Sequence, residues 1–306
     1  MITAYHHPGF AAPLGNHVMP MRKFQLVADA VAAAGLARVE APAAIDEVDL
    51  ARVHTAAYRT AIRTGEPRAL AESQKFPWSP ALWPSVLLTN GGLLAAARRA
   101  LVDGVAAALA SGFHHAHADH GEGFCTFNGL VVAADTLVAE GAVARVAVLD
   151  LDLHYGNGTA SLCGTRPHLF NCSIYGNDYH ANTPYRDVSV RRHEDGPNHR
   201  SWALPAGSGR AAVLAALEEG TAELLAWGRP DLVLYQAGAD PYREDPYSPL
   251  ALDHADLRER DHWVFAWAQR HGVPVAWVLA GGYTPDVSKV VAVHVGTFEA
   301  ARAVYG

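Results

Sequence analysis

The chain has 306 residues, 50% of them hydrophobic and 18% charged, with a formal net charge of −7. That length and composition support a sizeable globular core, and an acidic chain without a basic run lacks the electrostatic footprint of a nucleic-acid binder. Three cysteines, Cys125, Cys163 and Cys172, cannot all pair and form no CxxC, which points to a reducing, cytoplasmic setting. Neither a membrane span nor a signal peptide is expected, because no long uncharged apolar run and no basic start before an apolar segment occurs.

In chain order, residues 2–5 suggest a short strand and residues 6–20 a loop rich in proline and glycine. Residues 21–35 carry apolar residues at helical spacing and end on Gly35, which predicts a helix. Residues 48–64 predict a helical pair, and residues 72–84 an aromatic loop with three prolines and two tryptophans. The Ala/Leu-rich stretch 85–110 predicts a helix throughout. A long loop over 112–129 is followed by a helix over 129–141.

Residues 146–158, VAVLDLDLHYGNG, predict a buried strand ending in acids and an imidazole, then a glycine-rich turn. Alternate strand residues share a face, so Asp150, Asp152 and His154 are expected to point one way. Two carboxylates and an imidazole at a buried strand end are costly unless a cation holds them, and a divalent metal is the simplest candidate. Residues 167–175 predict a further strand, and 176–203 a long polar loop of the kind that serves a site. Helix 210–228 precedes a strand running from Asp231 to Gln236, with Asp240 just beyond. Helix 253–271 precedes strand 273–279, which runs into Ala280-Gly281-Gly282-Tyr283, and a last helix closes the chain.

Strands thus alternate with helices, without a linker or repeat, as in a single α/β domain with a parallel sheet. Ligand sites in such sheets lie beyond the carboxyl ends of the strands. Asp152, His154 and Asp240 form an O, N, O set of ligands. Zinc with three protein ligands keeps a position open, and iron or manganese is not separated from zinc by ligand type alone. His114 and His115 offer imidazoles for proton handling, with Asp150 and Asn157 available as partners. Tyr283 offers a hydroxyl to a developing oxyanion.

Seven motifs fall in one order along the chain: Arg52-Val-His54-Thr-Ala-Ala-Tyr58, Gly112-Phe-His114-His115, Gly121-Glu-Gly123-Phe124-Cys125-Thr-Phe127-Asn128, Asp150 to Thr159, Leu204-Pro-Ala-Gly-Ser-Gly209, Gln236-Ala-Gly-Ala-Asp240 and Gly281-Gly282-Tyr283. Together they resemble the zinc-dependent histone deacetylase superfamily, whose α/β fold is shared with arginase. The Phe-Pro-Trp loop and the AGGY turn look nearest the class IV branch and its bacterial relatives. The resemblance implies one three-layer α/β/α domain over residues 1–306 with a mainly parallel sheet. It implies zinc held by Asp152, His154 and Asp240, His115 as general base and acid, and His114 as an electrostatic partner paired to Asp150. Tyr283 would polarise the amide carbonyl, and Gly123 and Phe124 would line an acyl tunnel. Asp150, Asp152, His154 and Ser173 would surround a structural monovalent cation, usually potassium.

The activity implied is removal of an acyl group, acetyl or longer, from N-acyl-lysine. The alternative substrate is a small N-acetylated amine such as an acylpolyamine, drawn in by Glu122 or Asp119. A metal-bearing module without catalysis and an arginase-like binuclear manganese centre are less favoured. The first conflicts with the intact catalytic positions, and the second lacks its additional carboxylates. Four departures stand out. Asn157 takes the place of an aspartate found in some members, which should lower the pKa of its partner His115. Tyr155 and Ala280 replace a histidine and a glycine. The rim loop, Lys75 to Pro80, has no aspartate to grip a peptide backbone.

Overall fold

Eight strands form the core: β1 (Ile2–Tyr5), β2 (Ala37–Glu40), β3 (Val105–Ala108), β4 (Val146–Asp150), β5 (Leu169–Tyr175), β6 (His199–Ala203), β7 (Leu232–Gln236) and β8 (Val275–Val278). The structure, a computed structural model, describes residues 1–15, 17–111, 113–179, 193 and 195–306. Every pairing is parallel, in the order β2-β1-β3-β8-β7-β4-β5-β6. Strands β3, β4, β5, β7 and β8 are buried at every residue. Burial on both faces is why these strands read as continuous apolar runs rather than alternating ones.

The helices are α1 (Lys23–Ala33), α2 (Glu47–Leu50), α3 (Ala56–Thr64), α4 (Arg68–Ala71), α5 (Leu82–Asp103), α6 (Gly129–Ala139), α7 (Asn157–Cys163), α8 (Arg210–Trp227), α9 (His254–Arg270) and α10 (Val287–Tyr305). One layer runs α1-α10-α9-α8 by successive contacts, and the other is built on α5 and α6 with α2, α3 and α7 beside them. Among the described residues no helix is long and apolar enough to cross a membrane.

Three parts of the chain differ from the sequence reading. The stretch 85–110 is not all helix. Gly104, in the left-handed region at φ 86°, caps α5, and its N–H reaches the carbonyl of Ala100 at 2.7 Å. Val-Ala-Ala-Ala then becomes β3, between β1 and β8. Alanine favours helix intrinsically, but pairing on both sides of a buried strand overrides that preference. Strand β2 was not anticipated. The predicted loop 176–203 contains β6, which pairs with β5, while residues 180–192 and 194 lie outside the described residues.

The strand order places the site. β3, β8, β7 and β4 are consecutive neighbours, and their carboxyl ends lead to His114/His115, Tyr283, Asp240 and Asp152/His154 respectively.

Candidate active site

Strand β4 ends at Asp150, so Asp152 and His154 stand on the bend that follows rather than on one strand face. Backbone donors hold the two carboxylates from behind. Leu153 N–H donates to Asp240 Oδ1 at 3.1 Å, and Gly281 N–H donates to Asp152 Oδ2 at 2.8 Å. A Cβ on Gly281 would lie 2.0 Å from Asp240 Oδ2, so only glycine allows the AGGY turn to approach this closely. Arg260, buried in α9, donates from Nη1 to the carbonyls of Leu151 and Gly238 at 3.2 and 2.9 Å. It thereby ties together the two loops that carry the carboxylates.

In front, His154 Nδ1 lies 3.1 Å from Asp152 Oδ1 and 3.2 Å from Asp240 Oδ2. Burial opposes the His154 imidazolium, but the bonds and charges of Asp152 and Asp240 outweigh it and raise its pKa to about 10. Burial and the Asp152 charge raise Asp240 to about 6. Three ligand atoms of the types that zinc takes lie within 4.8 Å of one another at these buried positions. The donor set fits a divalent metal, which would replace the proton that the two carboxylates otherwise draw onto His154.

The histidine pair follows β3. Asn128, the N-cap of α6, donates from Nδ2 to the Ala116 carbonyl at 3.1 Å, and Thr159 N–H reaches the His114 carbonyl at 2.9 Å. A Cβ on Gly158 would meet the His115 carbonyl carbon at 2.4 Å, so this glycine lets α7 pack on the loop. The two rings sit 3.9 Å apart. His114 Nδ1 bonds Asp150 Oδ2 at 2.8 Å, and His115 Nδ1 bonds Asn157 Oδ1 at 2.6 Å. Asn157 donates from Nδ2 to Glu122 Oε2 at 2.6 Å, which fixes its amide with the oxygen toward His115. His115 therefore carries its proton on Nδ1 and leaves Nε2 as the acceptor nitrogen. Burial and the charges of His114 and His154 hold His115 well below the usual imidazole range. Burial works against His114⁺ too, but Asp150 and Asp152 raise its pKa.

A cavity of about 240 Å³ opens onto this cluster, lined by Lys75, His115, Gly123, Phe124, His154, Tyr179, Tyr247 and Tyr283. Phe76 stacks on Phe124 at 5.8 Å, and Tyr179 stacks on His115 at 3.8 Å. Tyr247 meets Tyr283 edge to face at 5.3 Å, and the Tyr283 N–H is held by Asp245 Oδ2 at 2.6 Å. Burial and the charges of Asp240 and Asp152 push the Tyr283 hydroxyl pKa well up, so it remains a donor at neutral pH. Cys125 is buried, and burial pushes its thiol up as well, so it is unsuited to act as a nucleophile.

The structure brings together every residue singled out for the metal, the histidine pair and the tunnel. Ser173 pairs in register with Asp150, and its Oγ accepts the Gly156 N–H at 3.3 Å. The acids proposed to attract a cationic amine do not line the cavity. Glu122 binds Asn157, and Asp119 is paired with His120 at 2.7 Å. Tyr155 bonds His199 Nε2 at 2.9 Å, away from the cluster. Ala280 adopts a left-handed φ of 54°, and the buried ammonium of Lys23 donates to its carbonyl at 2.6 Å. Sequence reasoning missed Tyr179, Tyr247 and Lys23, and it placed Lys75 in the rim loop without a role in the cavity. They lie outside the strand-end motifs, and only the fold brings them in.

The comparisons with known proteins agree with this geometry at the level of class. The model of the histone deacetylase domain matches residues 17–298, and the chain belongs to that family of deacetylases and amidohydrolases. It is 32% identical over 305 residues to an uncharacterized protein of Picosynechococcus, covering 98% of each chain. It is also 32% identical to acetylpolyamine amidohydrolase 1 of Pseudomonas aeruginosa, over 60% of this chain and 51% of that one, so it spans about half of that relative's length. The crystal structure of acetylpolyamine aminohydrolase from Burkholderia pseudomallei superposes with a TM-score of 0.81 over 99% of both chains at 24% identity, which shows the shared fold.

Proposed function

We propose that the chain is a zinc-dependent amidohydrolase that removes an acyl group from the side-chain amine of N-acyl-lysine in proteins or peptides. The observation that carries this reading is the aromatic cavity that ends on His154, His115 and Tyr283. A slender methylene chain suits such walls, and the reacting amide then reaches the polar cluster. Asp152, His154 and Asp240 would hold the zinc ion, which when bound supplies Lewis-acid polarisation of the carbonyl and of water.

The chain's own groups do the rest. His115 Nε2 takes a proton from the attacking water and returns one to the leaving amine. Asn157 holds the His115 ring, and the His114–Asp150 pair sets the charge beside it. The Tyr283 hydroxyl donates to the developing oxyanion. Gly123 and Phe124 flank the acylated side chain. Asp150, Asp152, His154 and Ser173 are proposed to surround a structural potassium ion.

Deacetylation of a free acylpolyamine is the second reading, favoured by the name of the Pseudomonas relative. Against it, the described residues lining the cavity include the cation Lys75 and no carboxylate, which disfavours a substrate with a second ammonium. The test is turnover on one lysine peptide carrying acyl groups from acetyl to myristoyl, beside N-acetylated polyamines, with and without chelator. We expect chelator-sensitive hydrolysis of the peptide series, with polyamines slower. Faster polyamine turnover would replace the substrate, and chelator-insensitive turnover would remove the zinc.

A further inference from the structure

We propose that His117, His120 and Glu122 form a second divalent-cation site, for an ion of the zinc, nickel or cobalt class, separate from the Asp152–His154–Asp240 cluster.

The argument rests on where the lone pairs point. Ser161 Oγ donates to the Gly158 carbonyl at 2.7 Å, so at 2.8 Å it must accept a proton from His117 Nδ1. Asp119 Oδ1 accepts from His120 Nδ1 at 2.7 Å. Both imidazoles are therefore fixed as Nδ1–H tautomers, and each turns an Nε2 lone pair inward. His117 Nε2 lies 3.8 Å from Glu122 Oε2, and His120 Nε2 lies 3.9 Å from Glu122 Oε1. The rings are nearly parallel at 4.5 Å, and all three ligand atoms lie within 4.8 Å of one another. Two imidazole nitrogens and a carboxylate converging on one point form a donor set that suits a divalent cation.

The Nδ1 acceptors are also what metal-bound histidines have behind them, fixing tautomer and ring orientation. Two nitrogens and a carboxylate oxygen suit borderline metals rather than magnesium or calcium. Tetrahedral coordination at roughly 2.1 Å asks each nitrogen–oxygen separation to close to about 3.4 Å. The side chains are 21%, 39% and 15% exposed, so they have room to make that small movement and an ion can enter from solvent. The site is also one amide from the reaction centre. Asn157 Nδ2 donates to Glu122 Oε2 at 2.6 Å and to His117 Nε2 at 3.3 Å, bonds that a metal ion would displace, and the same amide holds His115. An ion here would compete with Asn157 for the Glu122 carboxylate.

The experiment is equilibrium dialysis of the chelator-stripped full chain against Zn2+ alone, with bound metal counted by mass spectrometry. We expect two equivalents on the wild type, one on His120→Ala and one on Asp240→Asn. His120→Gln, similar in size, repeats the first variant in case alanine disturbs the loop, and circular dichroism confirms folding. One equivalent on the wild type, kept in His120→Ala and lost in Asp240→Asn, overturns this site and leaves the Asp152 cluster standing. One equivalent lost in His120→Ala supports this site and overturns the other. Two equivalents retained in both His120 variants overturn it as well.

Discussion

Replacing Asn157 with aspartate tests how the protein sets the basicity of His115. Asn157→Asp alone puts a carboxylate oxygen where Nδ2 now lies 2.6 Å from Glu122 Oε2. At an effective dielectric constant near 20, two anions at that distance repel by roughly 6 kcal/mol, or between four and five pK units. The introduced carboxylate and Glu122 therefore share one proton through the neutral range, and their total charge equals that of the wild-type Asn157–Glu122⁻ pair. What changes is where the charge can sit, since the anion can now lie on the atom 2.6 Å from His115 Nδ1. A carboxylate in direct contact raises an imidazole pKa, and we expect the acidic limb of kcat/KM to move up by about 1–3 units. Glu122→Gln keeps an acceptor for Asn157 but removes the anion, so that limb moves down. The double variant, with one unshared carboxylate, moves up at least as far as Asn157→Asp. The assay is the pH profile of kcat/KM on one acetyl-lysine peptide for the four proteins. An unchanged acidic limb in Asn157→Asp, or an upward shift in Glu122→Gln, would refute the reasoning.

Gly281→Ala drives a Cβ to 2.0 Å from Asp240 Oδ2 and 2.8 Å from Asp152 Oδ2. We expect zinc affinity and turnover to fall by at least about tenfold, and full zinc loading at limiting metal would contradict that. Arg260→Met removes the link between the Leu151 and Gly238 carbonyls and leaves the buried Asp261 without its cationic partner, with only the Tyr235 and Thr297 hydroxyls still donating to it. Breaking a buried pair in this way costs about 3–5 kcal/mol, so the Tm should drop by roughly 10 °C, and an unchanged Tm would remove Arg260 from the support of the site. Burial lowers His54 to about 3 and His199 to about 4. Both stay neutral in the folded chain while the unfolded chain protonates them below about 6.5, so stability is full above that pH and is lost as pH falls. At pH 5 each contributes a loss of about 2 kcal/mol, with His114, whose pKa is raised, acting in the opposite sense. A denaturant midpoint equal at pH 7.5 and pH 5 would contradict the assignment.

The site was more legible in the sequence than parts of the fold. Asp152, His154, Asp240 and Tyr283 sit just past apolar runs that could only be buried strands, and parallel topology brings such ends to one edge. Strand β3 was hidden because three of its four residues are alanines directly after a long helix. No local signal beyond Gly104 separates the two, and the decision lies with β1 and β8, far away in sequence. The walls of the cavity were unreadable for a related reason. Tyr179 and Tyr247 come from loops of no regular period, and their meeting with His115 and Tyr283 depends on the whole sheet. The reading of Glu122 as an acid that draws in a cationic amine missed its partner, because Asn157 lies 35 residues away in sequence.

Charge balance in the buried cluster indicates what the site requires. Asp150, Asp152, Asp240 and Asp245 are all buried around it. Arg260 is matched by Asp261 at 2.8 Å, which leaves Lys23 and a protonated His114 as the facing cations. With His154 neutral, as metal binding needs, four carboxylates against one ammonium and one imidazolium leave two negative charges in a medium that tolerates neither. The chain's own titrating groups register this. Burial and the charge of Asp240 raise Asp245 to about 7, Asp240 itself lies at about 6, and burial lowers Lys23 to about 8 in spite of three acids nearby. Protons can supply part of the missing charge, but a proton on His154 or Asp240 occupies a lone pair that a metal needs. A divalent cation restores neutrality in one step and displaces those protons. Uptake of the proposed zinc ion at this cluster would then exchange protons for metal, and its affinity should rise with pH as these carboxyl and imidazole groups give up their protons.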